Sequence, residues 1–367
     1  MLKFKKTLKI RNSKFILGNS LNELKHLETS SVNMIFCDPP YFLQLTKDLH
    51  RPDMTLVKGV KENWDKFSSY TEYDNFTNLW LKECRRVLKQ DGTIWLIGTY
   101  HNIYRIGFQL QNLNFWILND IIWNKINPLP NFKGTRFTNA HEVIIWATKS
   151  KKSKYTFNYH TMKKMNNNKQ MRSDWSLKVC QGKERLKNEF KKTLHSTQKP
   201  EELLERIVLA STKPGDFVLD PFFGTGTTGA VCKKLGRKFI GIDNNSVYMK
   251  AAKERIMKVK PIDTSKVEEI ANNNSSKKIP FSDLLKKGLI EPGERIFNAR
   301  ENIRAIILPN GNLKFKKKEG SIHKIGAYVQ NKPACNGWTY WFVRYNNKIV
   351  SINDHRNFLR DESSSKE

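Results

Sequence analysis

Phe217-Val218-Leu219-Asp220-Pro221-Phe222-Phe223-Gly224-Thr225-Gly226-Thr227-Thr228-Gly229 decides the fold. An apolar strand ends in Asp220, Pro221 stops it, and a glycine-rich turn leads into a helix. A second apolar strand, Phe239-Ile240-Gly241-Ile242, closes on Asp243. Strand, glycine turn, helix and a second strand with a terminal acid form a parallel α/β unit. The glycines let main chain approach a bound ligand, and an acid at the end of the second strand is placed for a ribose diol. As written, Gly224-x-Gly226-x-x-Gly229 also fits a dinucleotide fingerprint, a pattern that is weak alone.

An upstream stretch pulls the reading away from hydride transfer. The apolar run Val32, Met34, Ile35, Phe36 leads directly into Asp38-Pro39-Pro40-Tyr41. A buried strand that stops there leaves its last side chains at the carboxyl edge of the sheet, where open α/β sheets bind ligands. Proline fixes φ and has no amide hydrogen, so Pro39 and Pro40 make a rigid turn with outward carbonyls. One carboxylate, fixed carbonyls and one aromatic face suit a flat ring bearing an exocyclic amine. Asp38 accepts one N–H, the Pro39 carbonyl the other, and Tyr41 stacks on the ring. This grip steers the amine lone pair out of conjugation and toward an electrophile. Read blandly, the same residues are a strand, a Pro-Pro turn and a surface tyrosine.

The chain's 367 residues suffice for one large domain and a small one. Hydrophobic residues make up 38%, and no apolar run approaches a membrane span. The start, Met1-Leu2-Lys3-Phe4-Lys5-Lys6, is basic without the apolar segment of a secretory signal. The cysteines Cys37, Cys84, Cys180, Cys232 and Cys335 are odd in number and form no C-x-x-C, which points to reduced thiols in a cytoplasmic protein and away from a zinc site. Sixty-five Lys and Arg against 35 acidic residues give a formal charge of +30. That predicts a polyanionic partner held less tightly as salt rises. The charge is uneven: residues 149–199 carry 15 basic and 3 acidic side chains, interleaved with Tyr155, Phe157, Tyr159 and Trp175.

Along the chain, residues 15–17 form a short strand closing on Gly18-Asn19-Ser20, with a helix through Leu21, Leu24 and Leu27. Residues 42–69 lack periodicity and read as a flap carrying Trp64-Asp65. Residues 73–88 have helical spacing, and 93–97, 117–123 and 143–147 read as strands. The polar, Pro-rich connection with Asn127, Asn131 and Arg136 is a candidate DNA contact. His141-Glu142 ends the same connection and reads more readily as a structural pair opening a strand than as a DNA contact, and two adjacent residues imply no metal. His195-Ser196-Thr197-Gln198-Lys199-Pro200 opens a helix with a stripe of Leu203, Leu204, Ile207 and Val208. Pro200 suits its first position, and that helix start, flanked by hydroxyls and Lys199, is either a carboxylate site or an ordinary cap. A polar linker spans 261–278, and 279–361 reads as a small α+β module with a helix at 281–285 and strands at 305–308 and 340–343.

With these residues in view, the sequence resembles the β-group of DNA amino-methyltransferases, in which the catalytic half precedes the cofactor half. It is most similar to adenine-N6 enzymes of GANTC specificity, the CcrM type, and residues from 280 onward resemble the small adenine-methylase-associated domain. The resemblance implies an α/β fold: a Rossmann-like S-adenosylmethionine-dependent methyltransferase sheet at 1–260 with a small α+β C-terminal domain. Within it, 149–195 is the basic target-recognition segment and 195–260 the cofactor half. Carried over, Asp38, Pro39, Pro40 and Tyr41 hold the target adenine. Asn19, His195, Thr197, Lys199, Asp220, Phe222, Gly224, Gly226, Thr227 and Asp243 line the donor. Candidates for DNA contact are Trp64, Asn127, Asn131, Arg136, Arg172, Lys183 and Arg185, with Ser321, His323, Asn336 and Trp338 in the C-terminal module. The resemblance further implies double-stranded DNA as partner, a homodimer, no metal, and a cytoplasmic, nucleoid-associated protein.

In one departure, relatives usually carry Gly-Asp where this chain has Gly18-Asn19, and weaker donor binding is expected. No catalytic Pro-Cys pair is present, which argues against C5-cytosine chemistry. The competing readings are an N4-cytosine methyltransferase, where Ser more often replaces Asp38, an RNA or protein methyltransferase, and a catalytically silent DNA-binding regulator of the same fold.

Overall fold

The computed structural model describes residues 7–10, 13–43, 49–50, 56–57, 65–131, 134–264, 279–345 and 348–364. Two units divide the chain, Met1–Asn272 and Asn273–Glu367.

The first unit runs β1 (Thr7–Ile10), β2 (Ser13–Leu17), α1 (Ser20–Lys25), β3 (Val32–Cys37), β4 (Leu49–His50), β5 (Leu56–Val57), α2 (Tyr70–Val87), β6 (Leu88–Gly98), α3 (Ile103–Asn112), β7 (Trp116–Lys125) and β8 (His141–Thr148). It continues with α4 (Tyr159–Met165), β9 (Asp174–Leu177), α5 (Glu201–Ser211), β10 (Phe217–Asp220), α6 (Thr227–Lys234), β11 (Lys238–Asp243) and α7 (Ser246–Lys258). A nine-stranded sheet has the order β1-β2-β11-β10-β3-β6-β8-β7-β9. Its centre is parallel, with β10 beside β3 through Val218–Met34 and Leu219–Ile35. From β3 the chain builds outward through β6, and from β10 it builds the other way through β11. The strand order therefore reverses between β3 and β10, the place where such sheets open a ligand crevice.

β3 reads as a continuous apolar run because both its faces are covered. Met34 and Phe36 join one buried cluster with Leu203, Val208 and Met249 of the later helices. Ile35 and Cys37 join the other, with Leu24, Trp80 and Ile106. The strand expectations land within a few residues, but α3 was not anticipated, although Ile103, Ile106 and Leu110 form its buried stripe. Pro200 is not the first helical residue. It is the extended residue capping α5. The basic segment also does more structural work than its charge suggests. β9 adds to the sheet beside β7, and Trp175 is buried against Trp95.

The second unit comprises α8 (Phe281–Lys286), β12 (Arg295–Asn298), β13 (Arg304–Ile307), β14 (Leu313–Phe315), β15 (Lys318–Gly320), α9 (Ile322–Val329), α10 (Gly337–Tyr340), β16 (Trp341–Tyr345), β17 (Lys348–Ser351) and α11 (Ile352–Ser364). Its antiparallel sheet, in the order β15-β14-β13-β12-β16-β17, packs on a core that includes Leu284, Ile296, Ile325 and Trp341. Of the DNA contacts expected here, Trp338 needs correction, while Ser321, His323 and Asn336 are exposed. Trp338 is a core residue, 7% exposed and packed against Phe281. Ser321 and Asn336 cap α9 and α10, accepting the amides of Lys324 and Trp338. His323 accepts the Gly337 amide at Nδ1. These polar groups complete local turns while staying at the surface.

Candidate active site

The carboxyl ends of β3 and β10 bring Asp38 and Asp220 to one cavity of ≈ 270 Å³, whose wall includes Asn19, Tyr41, Gly224 and Asp243. The turn after β3 is fixed from outside. Asp65 Oδ1 accepts the amides of Tyr41 at 2.6 Å and Phe42 at 2.7 Å, and Oδ2 accepts that of Leu43 at 2.9 Å. Phe42 has φ +55°, a left-handed backbone that a residue with a side chain adopts only when held there. Its ring is stacked on Tyr73 and edge-on to Phe67 and Tyr70. The Pro40 carbonyl accepts Tyr73 Oη at 2.8 Å and Asn102 Nδ2 at 3.4 Å. Pro40 is thus a fixture of the turn, and the Pro39 carbonyl remains the candidate for the second amine hydrogen.

Asp38 stands in a buried network of charges. Its Oδ2 lies 2.8 Å from Lys199 Nζ, and its Oδ1 accepts the Tyr41 hydroxyl at 2.9 Å. Glu142 at the start of β8 completes the set: Oε2 lies 3.1 Å from Tyr41 Oη and 3.8 Å from Lys199 Nζ, and Oε1 lies 2.8 Å from Lys125 Nζ. Two carboxylates and two ammoniums balance, which lets them stay charged at low exposure. Burial raises the Asp38 carboxyl above its ordinary range against the opposing pull of Lys199. Burial acts the same way on Glu142, but the Lys199 and Lys125 ammoniums outweigh it and hold Glu142 low. Lys199 stays protonated: burial lowers it, and Asp38 and Glu142 more than restore it.

On the other side of the cavity, Asp243 Oδ2 accepts the Gly224 amide at 2.8 Å and Oδ1 the Asn245 amide at 2.8 Å, so the acid also ties down the glycine turn. Gly226 has φ +75°, and a Cβ there would lie 2.7 Å from Ala252 Cβ, which excludes a side chain. Asp220 accepts the Phe222 amide and the Thr228 hydroxyl, and burial pushes its carboxyl up to about 7. Phe222 packs edge-on to Trp80. His195 and Thr197 line the cavity, with His195 edge-on to Tyr248.

Asn19, Thr227 and Lys199 line the cavity too, and each also has a partner within the protein. Asn19 Oδ1 accepts the Leu21 amide as the cap of α1. The Thr227 hydroxyl binds the Lys199 carbonyl and Arg255. Lys199 points to Asp38, and the amide at the start of α5 is taken by Glu184 Oε1 at 2.7 Å, so that helix end does not form an open carboxylate site.

Among the residues expected at DNA, Trp64 lies outside the described residues, as does most of the expected flap and the linker. Arg136 extends its guanidinium to the Tyr100 hydroxyl at 2.8 Å, and Lys183 is exposed. Arg172 is exposed and forks onto Asp174. Asn131 is partly exposed. Two more are partly exposed and also hydrogen-bonded within the protein. Asn127 donates to Gln181 and accepts the Val179 amide. Arg185 donates to the Cys180 and Ser196 carbonyls and braces the segment that carries Lys199. Phe137, in the same connection as Arg136, is 97% exposed. Sequence reasoning missed Glu142 and Asp65 as site residues. No group of three or more metal-ligating side chains occurs among the described residues, and no helix among them is long and apolar enough to cross a membrane.

Residues 32–254 match the family model described as DNA methylase, and 261–365 match that described as restriction enzyme adenine methylase associated. The type II methyltransferase M.HinfI of Haemophilus influenzae is 48% identical over 339 residues, covering 92% of this chain and 94% of that protein. The type II methyltransferase M2.LlaDCHI of Lactococcus lactis subsp. cremoris is 45% identical over 248 residues, covering 67% and 90%. Among solved structures, the PvuII DNA methyltransferase, described as cytosine-N4-specific, aligns with a TM-score of 0.52 at 20% identity over 71% of this chain and 92% of that one, a likeness of fold.

Proposed function

This chain belongs to the DNA methylase family, and from that premise we propose that it transfers a methyl group from S-adenosylmethionine to N6 of adenine in double-stranded DNA, within GANTC. The observation that carries the reading is the pairing of Asp38-Pro39-Pro40-Tyr41 with the Asp220–Asp243 wall around one cavity. A target base must leave the duplex to reach it, which costs a few kcal/mol and is offset by contacts in the pocket.

The residues present fit the donor. Asp220 and Asp243 put carboxyl groups on the cavity wall, where a cation with a vicinal diol is favoured, and Gly224 lets main chain come close. Asp243, Asp220, Gly224, Phe222 and Asn19 would hold it; bound there, it supplies an activated methyl on a sulfonium. Asp38 and the Pro39 carbonyl accept the two amine hydrogens and aim the lone pair, and Tyr41 supports the ring. The cavity's burial strengthens the Asp38 contact as the amine becomes cationic. No protein nucleophile is needed, because the amine attacks directly. Adenine is favoured over cytosine by the carboxylate at Asp38, and GANTC by the overall resemblance of the chain to that group. The exposed Arg136, Arg172 and Lys183 suit the phosphate backbone. A restriction-modification setting follows from the type II relatives, and a cytoplasmic homodimer from the resemblance.

Labelled methyl transfer to duplex DNA followed by nucleoside analysis tests the chemistry: N6-methyladenine is expected, and N4-methylcytosine or an unlabelled duplex would reject it. Plasmid from an expressing strain, challenged with a nuclease that cuts only unmethylated GANTC, tests the site. Protection is expected, and cutting at every site rejects that specificity.

A further inference from the structure

Resting on the methyl-transfer reading, the Asp38 contacts raise a difficulty that Glu142 answers. Asp38 is already engaged on both oxygens, by Lys199 at Oδ2 and by the Tyr41 hydroxyl at Oδ1. Each carboxylate oxygen has two acceptor sites, so Oδ1 keeps one open. An oxygen that already accepts the Tyr41 hydroxyl, on a carboxylate already paired with Lys199, is still a weaker acceptor for an incoming amine hydrogen than a free one. The Tyr41 phenol has one hydrogen and stands between two carboxylate oxygens, 2.9 Å from Asp38 and 3.1 Å from Glu142. The same hydrogen can serve either oxygen after a small rotation about the C–O bond. The Lys199 ammonium is likewise within 3.8 Å of Glu142 Oε2. Glu142 is itself fixed by Lys125 at Oε1, which leaves Oε2 directed at the cluster.

We propose that Glu142 is a positioning residue that receives the Tyr41 hydroxyl, and with it part of the Lys199 charge, when the target amine enters, so that Asp38 Oδ1 is released to accept the amine hydrogen. The cluster's charge stays constant through this exchange, and no proton leaves any residue. Glu142 touches neither base nor donor; it acts through Tyr41 and Lys199. Its low proton affinity, set by the two neighbouring ammoniums, keeps it an acceptor throughout.

The test uses the full-length protein, S-adenosylmethionine and unmodified duplex DNA. Glu142→Gln preserves size but replaces the acceptor at one position by an amide. The single-turnover rate is expected to fall by roughly 10–100-fold, the range for a lost hydrogen bond to a charged group. Donor affinity is expected to stay within about twofold, since such changes are local. Glu142→Asp, which keeps the charge but draws it back by one methylene, should lie between the wild type and Glu142→Gln and guards against a folding defect in the amide variant. Tyr41→Phe removes the shared hydrogen and keeps the ring. If the exchange operates, adding Glu142→Gln to Tyr41→Phe costs far less than it does in the wild-type background, because the two act on one contact. Losses that simply multiply, or wild-type rates in both Glu142 variants, overturn the exchange while the reaction itself stands. Absence of any transfer by the wild-type protein overturns the reaction, and the exchange with it.

Discussion

Lys199 Nζ lies 2.8 Å from Asp38 Oδ2, joining positions 161 residues apart in a contact where the lysine is 7% exposed. The pair ties the segment before α5 to the turn after β3. Lys199→Met would strip the cation from between Asp38 and Glu142 and leave two buried carboxylates facing each other with Lys125 alone. Breaking a buried pair on one side costs about 3–5 kcal/mol. Urea unfolding at neutral pH should show that loss, and methyl transfer should fall with it.

Asp65→Ala removes the acceptor of three consecutive amides, those of Tyr41, Phe42 and Leu43. Amides left unpaired at a buried turn cost about 1–3 kcal/mol each when water cannot replace the partner. The expected result is a drop of about 3 kcal/mol in stability, with a larger effect on turnover than on donor affinity. Calorimetry of donor binding beside single-turnover rates measures both. Equal losses in the two would show that Asp65 does not act through the Asp38 turn.

Asp220 titrates at about 7 in the folded protein because burial disfavours its charge, whereas an unfolded Asp titrates near about 4. Between those values the unfolded chain gives up the proton first, so rising pH favours unfolding through this group. Asp220→Asn, permanently neutral, should lose less stability than the wild type as pH rises from about 4 to 7. Thermal midpoints of both proteins across that window give the difference directly, with other carboxyl groups cancelling. A parallel course of the two curves would contradict the shift.

Trp338→Ala should act as a core truncation. The ring is packed on Phe281 and beneath Arg356, and a buried aromatic cut to alanine costs about 3–5 kcal/mol. Unfolding of the second unit, followed by hydrogen exchange at β12 and β16, is where the effect appears. Unchanged protection with weakened DNA binding would restore the surface role that the sequence suggested.

The local signals were legible and the long-range ones were not. The run through Phe36 into Asp38-Pro39-Pro40 announced a strand end, and Gly224-Thr225-Gly226 a ligand turn, because both patterns are written in consecutive residues. The α3 helix was also readable in Ile103, Ile106 and Leu110, a stripe overlooked beside the more apolar strands. Glu142 was not readable as a site residue. Its partners Tyr41 and Lys199 lie far away in sequence, and His141-Glu142 at the start of a strand looks the same whether the acid faces solvent or a buried tyrosine. Asp65 hid for another reason: its partners are main-chain amides, which leave no trace in residue identity. Trp338 misled because an aromatic residue near a helix start serves a core as readily as a DNA groove.

The seam between β3 and β10 has a cost during synthesis. Asn33 Oδ1 accepts the Phe217 amide across 184 residues, so the nascent chain carries β3 with one flank bare until the later strands emerge. An unpaired strand edge invites pairing with a neighbouring chain, and closing so wide a loop is slow. Prematurely terminated products that end before residue 217 should therefore clump, and none can modify a genome, because the floor of the pocket is among the last parts of the sheet to be laid down.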